Sequence, residues 1–254
     1  MSKRIDYNAV AKDYDLQPYR GKELDPHLSK FVAFRNTQEL QIADLACGTG
    51  NQLIANHRHY PNIKMTGCDL SVGMLNVART KNEQIDWIEG SLDSLPLNDE
   101  SFDFVTCQFA FHHVLNKQKA VEEIFRVTKW NGRFVFENIS PHHMKNNFFY
   151  QLFPRSLEQD LVDFMEPEEL CRLLENVGFN DPKLIMKDQE VESTLQTFYS
   201  KVIDKQNNSE LALLTQQEYE KGLILLQEQM QYLGSDYMIK DHVALVTIIT
   251  DKLK

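Results

Sequence analysis

Short apolar runs alternate with stretches of helical period along the first half of the chain. Residues 41–46 (QIADLA), 64–69 (KMTGCD), 85–89 (IDWIE), 103–108 (DFVTCQ) and 133–139 (RFVFENI) read as strands. Between them, 51–59, 71–81 and 117–129 read as helices. In the last of these, Ala120, Val121, Ile124, Phe125 and Val127 fall on one face, and Asn131-Gly132 of "WNG" supply a C-cap. Such alternation implies right-handed crossovers and a parallel sheet covered on both faces.

After residue 140 the pattern changes. The stretch 140–165 (SPHHMKNNFFYQLFPRSLEQDLVDFM) is rich in aromatics and has no strand period. A helix follows over 166–177, with Pro167 near its start, acids in its first turn and Gly178 at its end. "PKLIMKDQEV" reads as a strand. Residues 193–233 read as two helices separated by "KQNNSE", and "DHVALVTIITDK" as the last strand. No repeat or linker interrupts the 254 residues, so a single domain with helical insertions is expected.

Composition narrows the function. A net charge of −10 and a pI near 5.3 disfavour nucleic acid as a partner. "MSKRIDYNAVAKDYD" lacks the apolar core of a signal peptide, and no run reaches the roughly 18 apolar residues of a membrane span, so a cytoplasmic location without a span is expected. Cys47, Cys68, Cys107 and Cys171 are scattered, with no C-x-x-C pair, and read as reduced, packed thiols rather than a zinc site.

The chemistry centres on "DLACGTG", residues 44–50. Its glycines follow a strand and open a helix, where a tight turn and free N–H groups favour a polar ligand. A dinucleotide fingerprint needs a third glycine, and that position is Leu53. Asp44 instead precedes Gly48 by four positions, as S-adenosylmethionine sites require. Asp69 ends the next strand, where an acid accepts hydrogen bonds from ribose; the alternative is that Asp69 or Ser71 only caps the following helix.

"GCDLSVGMLNVAR", "EGSLDSLPLNDESFDFV", "VTCQFAFHHV" and "RVTKWNGRFVF" together resemble the class I S-adenosylmethionine-dependent methyltransferases. The small-molecule branch that includes the ubiquinone/menaquinone-biosynthesis C-methyltransferases is the nearest in look, and "YNAVAKDYD" is similar to its Y-x-x-x-A-x-x-Y-D opening. The likeness runs from about residue 7 to 139 and resumes at "EPEELCRLLENVGF" and the last strand. It implies a Rossmann-like α/β fold: a seven-stranded, mostly parallel sheet with an antiparallel last strand, helices on both faces and helical lid insertions. It also divides the chain into an N-terminal helical lid (1–35), a cofactor-binding core (36–140), insertions near the substrate (141–165 and 190–235) and a last strand (236–254).

For the site, the resemblance implies that Asp44, Ala46, Gly48 and Gly50 hold the methionine part of S-adenosylmethionine. Asp69 would take the ribose hydroxyls, Leu70 would pack near adenine, and Gln108 and Phe109 would face the sulfonium. Tyr14, among Tyr7, Tyr14 and Tyr19, would close over the cofactor. The family usually has Gly-Asp-Ala where this chain has Gly90-Ser91-Leu92, the Asp meeting the adenine amine. Ser91 accepts a weaker bond, the N–H of Leu92 remains, and Asp93 lies two positions late, so weakened cofactor affinity is expected. His112 and His113 open the substrate side, where either acts as general base or merely caps the next helix or fills the sheet edge. A metal site joining them to His142 and His143 lacks a carboxylate pattern, so no metal is expected.

The expected reaction is in-line methyl transfer to a small, apolar or aromatic molecule, which calls chiefly for alignment. Cys107-Gln108-Phe109-Ala110 stands where adenine, cytosine and amide N-methyltransferases carry Asn/Asp-Pro-Pro-Tyr, and only Cys171 lies where arsenite methylation needs several cysteines. The aromatics of 141–165 read as a hydrophobic lid over the acceptor or as a homodimer face. The alternative function is a non-catalytic protein of the same fold that binds the cofactor or a partner.

Overall fold

The computed structural model describes residues 5–16, 22–37, 39–205 and 208–254. Helix α1 (Tyr7–Val10) and a 3-10 turn (Tyr14–Leu16) precede α2 (Pro26–Arg35). The chain then alternates: β1 (Gln41–Leu45), α3 (Asn51–His59), β2 (Lys64–Asp69), α4 (Val72–Lys81), β3 (Asp86–Glu89), β4 (Phe102–Gln108), α5 (Lys117–Val127) and β5 (Thr128–Ile139). A 3-10 helix (Pro141–Asn146), α6 (Phe148–Leu152), α7 (Pro154–Asp163) and α8 (Pro167–Val177) lead to β6 (Asn180–Thr194). α9 (Leu195–Val202), α10 (Ser209–Ala212), α11 (Gln216–Leu233) and β7 (Met238–Lys252) complete it.

The strands form one seven-stranded sheet in the order β3-β2-β1-β4-β5-β7-β6. β1 pairs in parallel with β2 and β4, β2 with β3, and β4 with β5, while the last strands run antiparallel. The expected fold class is the observed one. β1 and β4 sit inside the sheet and are buried along nearly their whole length, which is why both read as unbroken apolar runs.

Two compact units divide the chain. One holds Tyr7–Asn138, Pro167–Ile185 and Val246–Lys254, and the other Ile139–Glu166 and Met186–Leu245 with the described start of the chain. In the first unit Leu28, Phe31, Ile42, Leu53, Trp87 and Phe104 form the main core. Here α5 buries Ala120, Val121, Ile124 and Val127, as its period predicts. Its end differs from expectation. The helix stops at Val127, and Asn131-Gly132 is not its cap but part of an irregularity inside β5, with Asn131 at φ 61°. The β4–β5 register jumps between Phe102↔Thr128 and Phe104↔Arg133, so the extra residues loop out of the ladder. The carbonyls at the helix end are met instead by Lys252, whose Nζ donates to Phe125 O (3.0 Å) and Thr128 O (2.9 Å).

In the second unit, the expected pair of helices after 193 is three. Asn208 caps α10, and Thr215 and Glu218 form a reciprocal capping box that starts α11 afresh. The aromatics of 141–165 also differ from expectation. They are not an exposed patch. Phe153 is 1% exposed in a core with Leu195, Leu211 and Leu226, and Phe148 and Phe149 pack against Phe198. Gly222 of α11 lies against the Phe153 ring, where a Cβ would overlap it.

Candidate functional site

The site begins where β1 ends. Asp44 is 4% exposed and its Oδ1 accepts from Thr106 Oγ1 of β4 at 3.0 Å. Burial pushes its carboxyl up to about 7, the Thr106 bond opposing. Past Leu45 the backbone turns through three left-handed residues, Ala46 (φ 59°), Gly48 (φ 55°) and Gly50 (φ 74°). The two glycines have different reasons. A Cβ on Gly48 would meet nothing within 4 Å, whereas one on Gly50 would collide with the indole of Trp87. That ring is 8% exposed and pinned by Nε1 donating to Asn82 O at 2.8 Å.

Asp69, at the tip of β2, ties the neighbouring turns together. Its Oδ2 accepts from Gly48 N at 2.8 Å and its Oδ1 from Ser71 N at 2.8 Å. Burial raises its pKa against these bonds. Ser71, not Asp69, caps α4 with its side chain, its Oγ accepting from Met74 N.

A cavity of about 340 Å³ opens over this turn, and its lining belongs wholly to the Tyr7–Asn138 part of the first unit. Asp44, Ala46, Gly48, Asp69, Leu70, Ser91, Leu92, Gln108, Phe109 and Tyr14 all line it. Gly50 does not; it shapes the turn from below, against Trp87. The histidines separate. His113 lines the cavity with its Nε2 2.8 Å from Tyr7 Oη, while His112 stays outside the lining, its ring 4.0 Å from that of His113 and its Nδ1 3.5 Å from Asn138 Nδ2. Neither caps α5, because Asn116 does so by accepting from Lys119 N. The thiols of Cys47 and Cys68, also in the wall, are pushed up by burial, Cys68 to about 12. Among the described residues no cluster of three or more His, Cys, Asp or Glu side chains suits a metal ion, and no helix is long and apolar enough to cross a membrane. Tyr19 lies outside the described residues.

Sequence reasoning missed the fastening of the N-terminal stretch. Asp15 Oδ1 accepts from Thr49 Oγ1 (2.6 Å) and Asn51 Nδ2 (2.8 Å), and its Oδ2 from Lys81 Nζ (2.8 Å). Burial raises its pKa, but the bonds from Lys81, Thr49 and Asn51 outweigh this and hold the carboxyl below its ordinary value. Asn8 Oδ1 accepts from Ser71 Oγ and Gly73 N. Tyr7 and Tyr14 are thereby set into the cavity wall. The signal was present in "YNAVAKDYD", whose Asp15 follows Tyr14 directly.

A family model described as "Methyltransferase domain" matches residues 43–136. The ubiquinone/menaquinone biosynthesis C-methyltransferase of Campylobacter jejuni is 31% identical over 173 residues, covering 56% of this chain and 71% of the relative. The chain belongs to the class I S-adenosylmethionine-dependent methyltransferases. The demethylmenaquinone methyltransferase of Chlorobaculum tepidum is 31% identical over 165 residues, 56% of this chain and 66% of that one. Two solved structures share the methyltransferase's fold. The YcgJ protein of Bacillus subtilis has TM-score 0.63 at 20% identity, covering 90% of this chain and 99% of its own. The phosphoethanolamine N-methyltransferase 2 of Haemonchus contortus, in complex with S-adenosyl-L-methionine, has TM-score 0.60 at 15% identity, covering 97% and 57%.

This methyltransferase uses S-adenosylmethionine. The donor set of its cavity suits that molecule. The carboxyl groups of the buried Asp44 and the half-buried Asp69 are acceptors of the kind an ammonium or a ribose diol needs, and the open space above Gly48 leaves room for a ligand against the backbone.

Proposed function

We propose that the methyl acceptor is a small, apolar or aromatic molecule of the quinol type. The observation that carries this reading is the side of the cavity walled by Tyr7, Phe109, His113, Val114 and Leu115. Phe109 is 40% and Leu115 88% exposed, so large apolar surfaces stand open to a ligand there. The two relatives, a ubiquinone/menaquinone biosynthesis C-methyltransferase and a demethylmenaquinone methyltransferase, support such a ligand.

The bound cofactor supplies an electrophilic sulfonium methyl. In this reading Asp44 and the backbone at Ala46 and Gly48 would hold its amino-acid part, and Asp69 its ribose. Phe109, whose φ is 51° and whose N–H donates to Glu137 O at 2.8 Å, would stand with Gln108 at the reacting end. His113 is the base for the acceptor's proton, because it faces the cavity and His112 does not. Its Nε2 is engaged by Tyr7, which fixes the ring for that task.

The test is transfer of labelled methyl from S-adenosylmethionine to a panel holding a reduced short-chain demethylmenaquinone, simple phenols and polar amines. Transfer to the quinol or phenols is expected. Methylation of the polar amines alone would refute the acceptor class, and cofactor binding without any transfer would favour the non-catalytic alternative.

A further inference from the structure

A second cavity, of about 410 Å³, lies beside the first and shares Gln52 and Gln108 with its wall. It opens where the N-terminus of α2 meets α3 and the ends of β4 and β5, all within the first unit. Glu23, Asp25 and Glu137 line it, and no lysine or arginine stands among its described lining residues. Lys22, whose charge acts on Glu137, lines the first cavity instead, its Nζ 5.4 Å from the centre of the Phe109 ring. His27 Nε2 is 3.6 Å from Glu137 Oε1, but burial holds the imidazole pKa below its ordinary value, so at neutral pH it brings little positive charge.

Asp25 marks this cavity as a site. The residue is 3% exposed and firmly placed: its N–H donates to Asn56 Oδ1 at 2.9 Å, and its Oδ1 caps α2 by accepting from His27 N at 2.7 Å and Leu28 N at 3.3 Å. Its Oδ2 is buried and has no hydrogen-bond partner among the described residues. With Oδ1 committed to the helix, Oδ2 is the oxygen left for the cavity. A buried carboxylate oxygen without a donor is costly, which calls for a donor that the chain itself does not supply. The wall sets the chemistry of that donor. Gln52 spends its amide N–H groups on Glu23 O (2.9 Å) and Asn56 Oδ1 (3.1 Å), which leaves its amide oxygen as a further acceptor. Acceptors and negative charge together favour a cation that carries N–H groups. Among the described residues the acids do not converge as a metal ion needs, and the space far exceeds one ion, so the cation is an organic one whose N–H groups reach separate oxygens.

We propose that this acidic cavity binds a small organic cation with N–H donors, an alkylammonium or alkylguanidinium, at a site separate from that of S-adenosylmethionine, with Asp25 and Glu137 as its carboxylate partners. The experiment is titration of the full chain, followed by nuclear magnetic resonance, with n-butylammonium and n-butylguanidinium. Tetramethylammonium, n-butanol and potassium at matched ionic strength are the controls, and each series is repeated with saturating S-adenosylhomocysteine. The two N–H cations are expected to bind at one site per chain, at least tenfold tighter than any control, and to stay bound when S-adenosylhomocysteine is present. Asp25→Asn keeps an oxygen for the helix cap and removes the charge, so it should weaken both cations at least tenfold. Glu137→Gln should do the same, and it decides the matter if circular dichroism shows Asp25→Asn unfolded. Absence of binding, or equal binding of tetramethylammonium, which an acidic surface alone would attract, overturns the proposal. Unchanged affinity in the folded variants overturns it as well. Displacement of the cations by S-adenosylhomocysteine gives the cavity to the cofactor and overturns the separate site.

Discussion

Gly48 and Gly50 share a motif and a backbone region, yet alanine at each should fail differently. At Gly50 an added methyl collides with Trp87, and the indole cannot retreat because Asn82 holds its N–H and Gly67 closes the opposite side, where a Cβ would lie 2.5 Å from the ring. The left-handed backbone costs an alanine about 1–2 kcal/mol. Overpacking adds about 1–3 kcal/mol, and the stiffer unfolded chain returns about 0.4–1 kcal/mol. Gly50→Ala should therefore lose roughly 2–4 kcal/mol of stability. Gly48→Ala has the backbone strain without the collision and should lose only about 1 kcal/mol. Its methyl instead enters the cavity and should weaken S-adenosylhomocysteine by tenfold or more, about 1.4 kcal/mol. Both tryptophans, Trp87 and Trp130, belong to the first unit, so denaturant titration followed by their fluorescence reads that unit alone. Trp87→Leu added to Gly50→Ala should recover part of the loss, the two changes being non-additive. Wild-type stability in Gly50→Ala, or equal losses at the two glycines, would refute the division of labour between them.

Further outcomes follow from the same geometry. Asp69→Ala should weaken cofactor binding by about 1–3 kcal/mol by calorimetry, and should also lower stability, since Gly48 N and Ser71 N lose their acceptor. Because burial raises Asp44 from 3.8 to about 7, the ligand-free first unit should gain stability as pH falls from about 7 towards 4; Asp44→Asn should flatten that slope in fluorescence-monitored titrations, and an unchanged slope would count against it. Ser91→Asp sets a second carboxylate beside Asp93 and should weaken, not tighten, the cofactor in side-by-side titrations. Phe153→Ala should lose about 3–5 kcal/mol from the second core, read by far-ultraviolet circular dichroism during denaturation.

The strands and helices of residues 41–139 are legible because their apolar period is set by burial on the sheet and on one helix face. The predicted β1 to β5 lie within a few residues of the observed ones for that reason. The end of α5 is not legible: "WNG" has the composition of a cap, but the buried Lys252, more than a hundred positions away, already satisfies the carbonyls there. Asp44, Asp69 and Gly48 follow from motif spacing, since each sits at the tip of a strand whose place is predictable. Trp87 is missed because its value lies in contacts with Gly50 and Gly67, which only the folded sheet brings together. The aromatics after residue 140 are misjudged for a related reason. A cluster reads alike whether it awaits a ligand, a second chain or its own core, and the packing of Phe153 against Gly222 decides for the core.

The clasp at Asp15 has a consequence for time rather than for affinity. The acid itself does not line the cavity, but its three bonds fasten a stretch whose tyrosines do. A ligand whose escape requires that stretch to lift would owe its residence in part to residues outside the binding wall. The Asp15–Lys81 pair is accessible enough for dissolved salt to weaken it. Raising ionic strength should then speed arrival and departure of the cofactor together, leaving their ratio nearly fixed, and a stopped-flow record would show the rhythm of the enzyme changing while its equilibrium stands still.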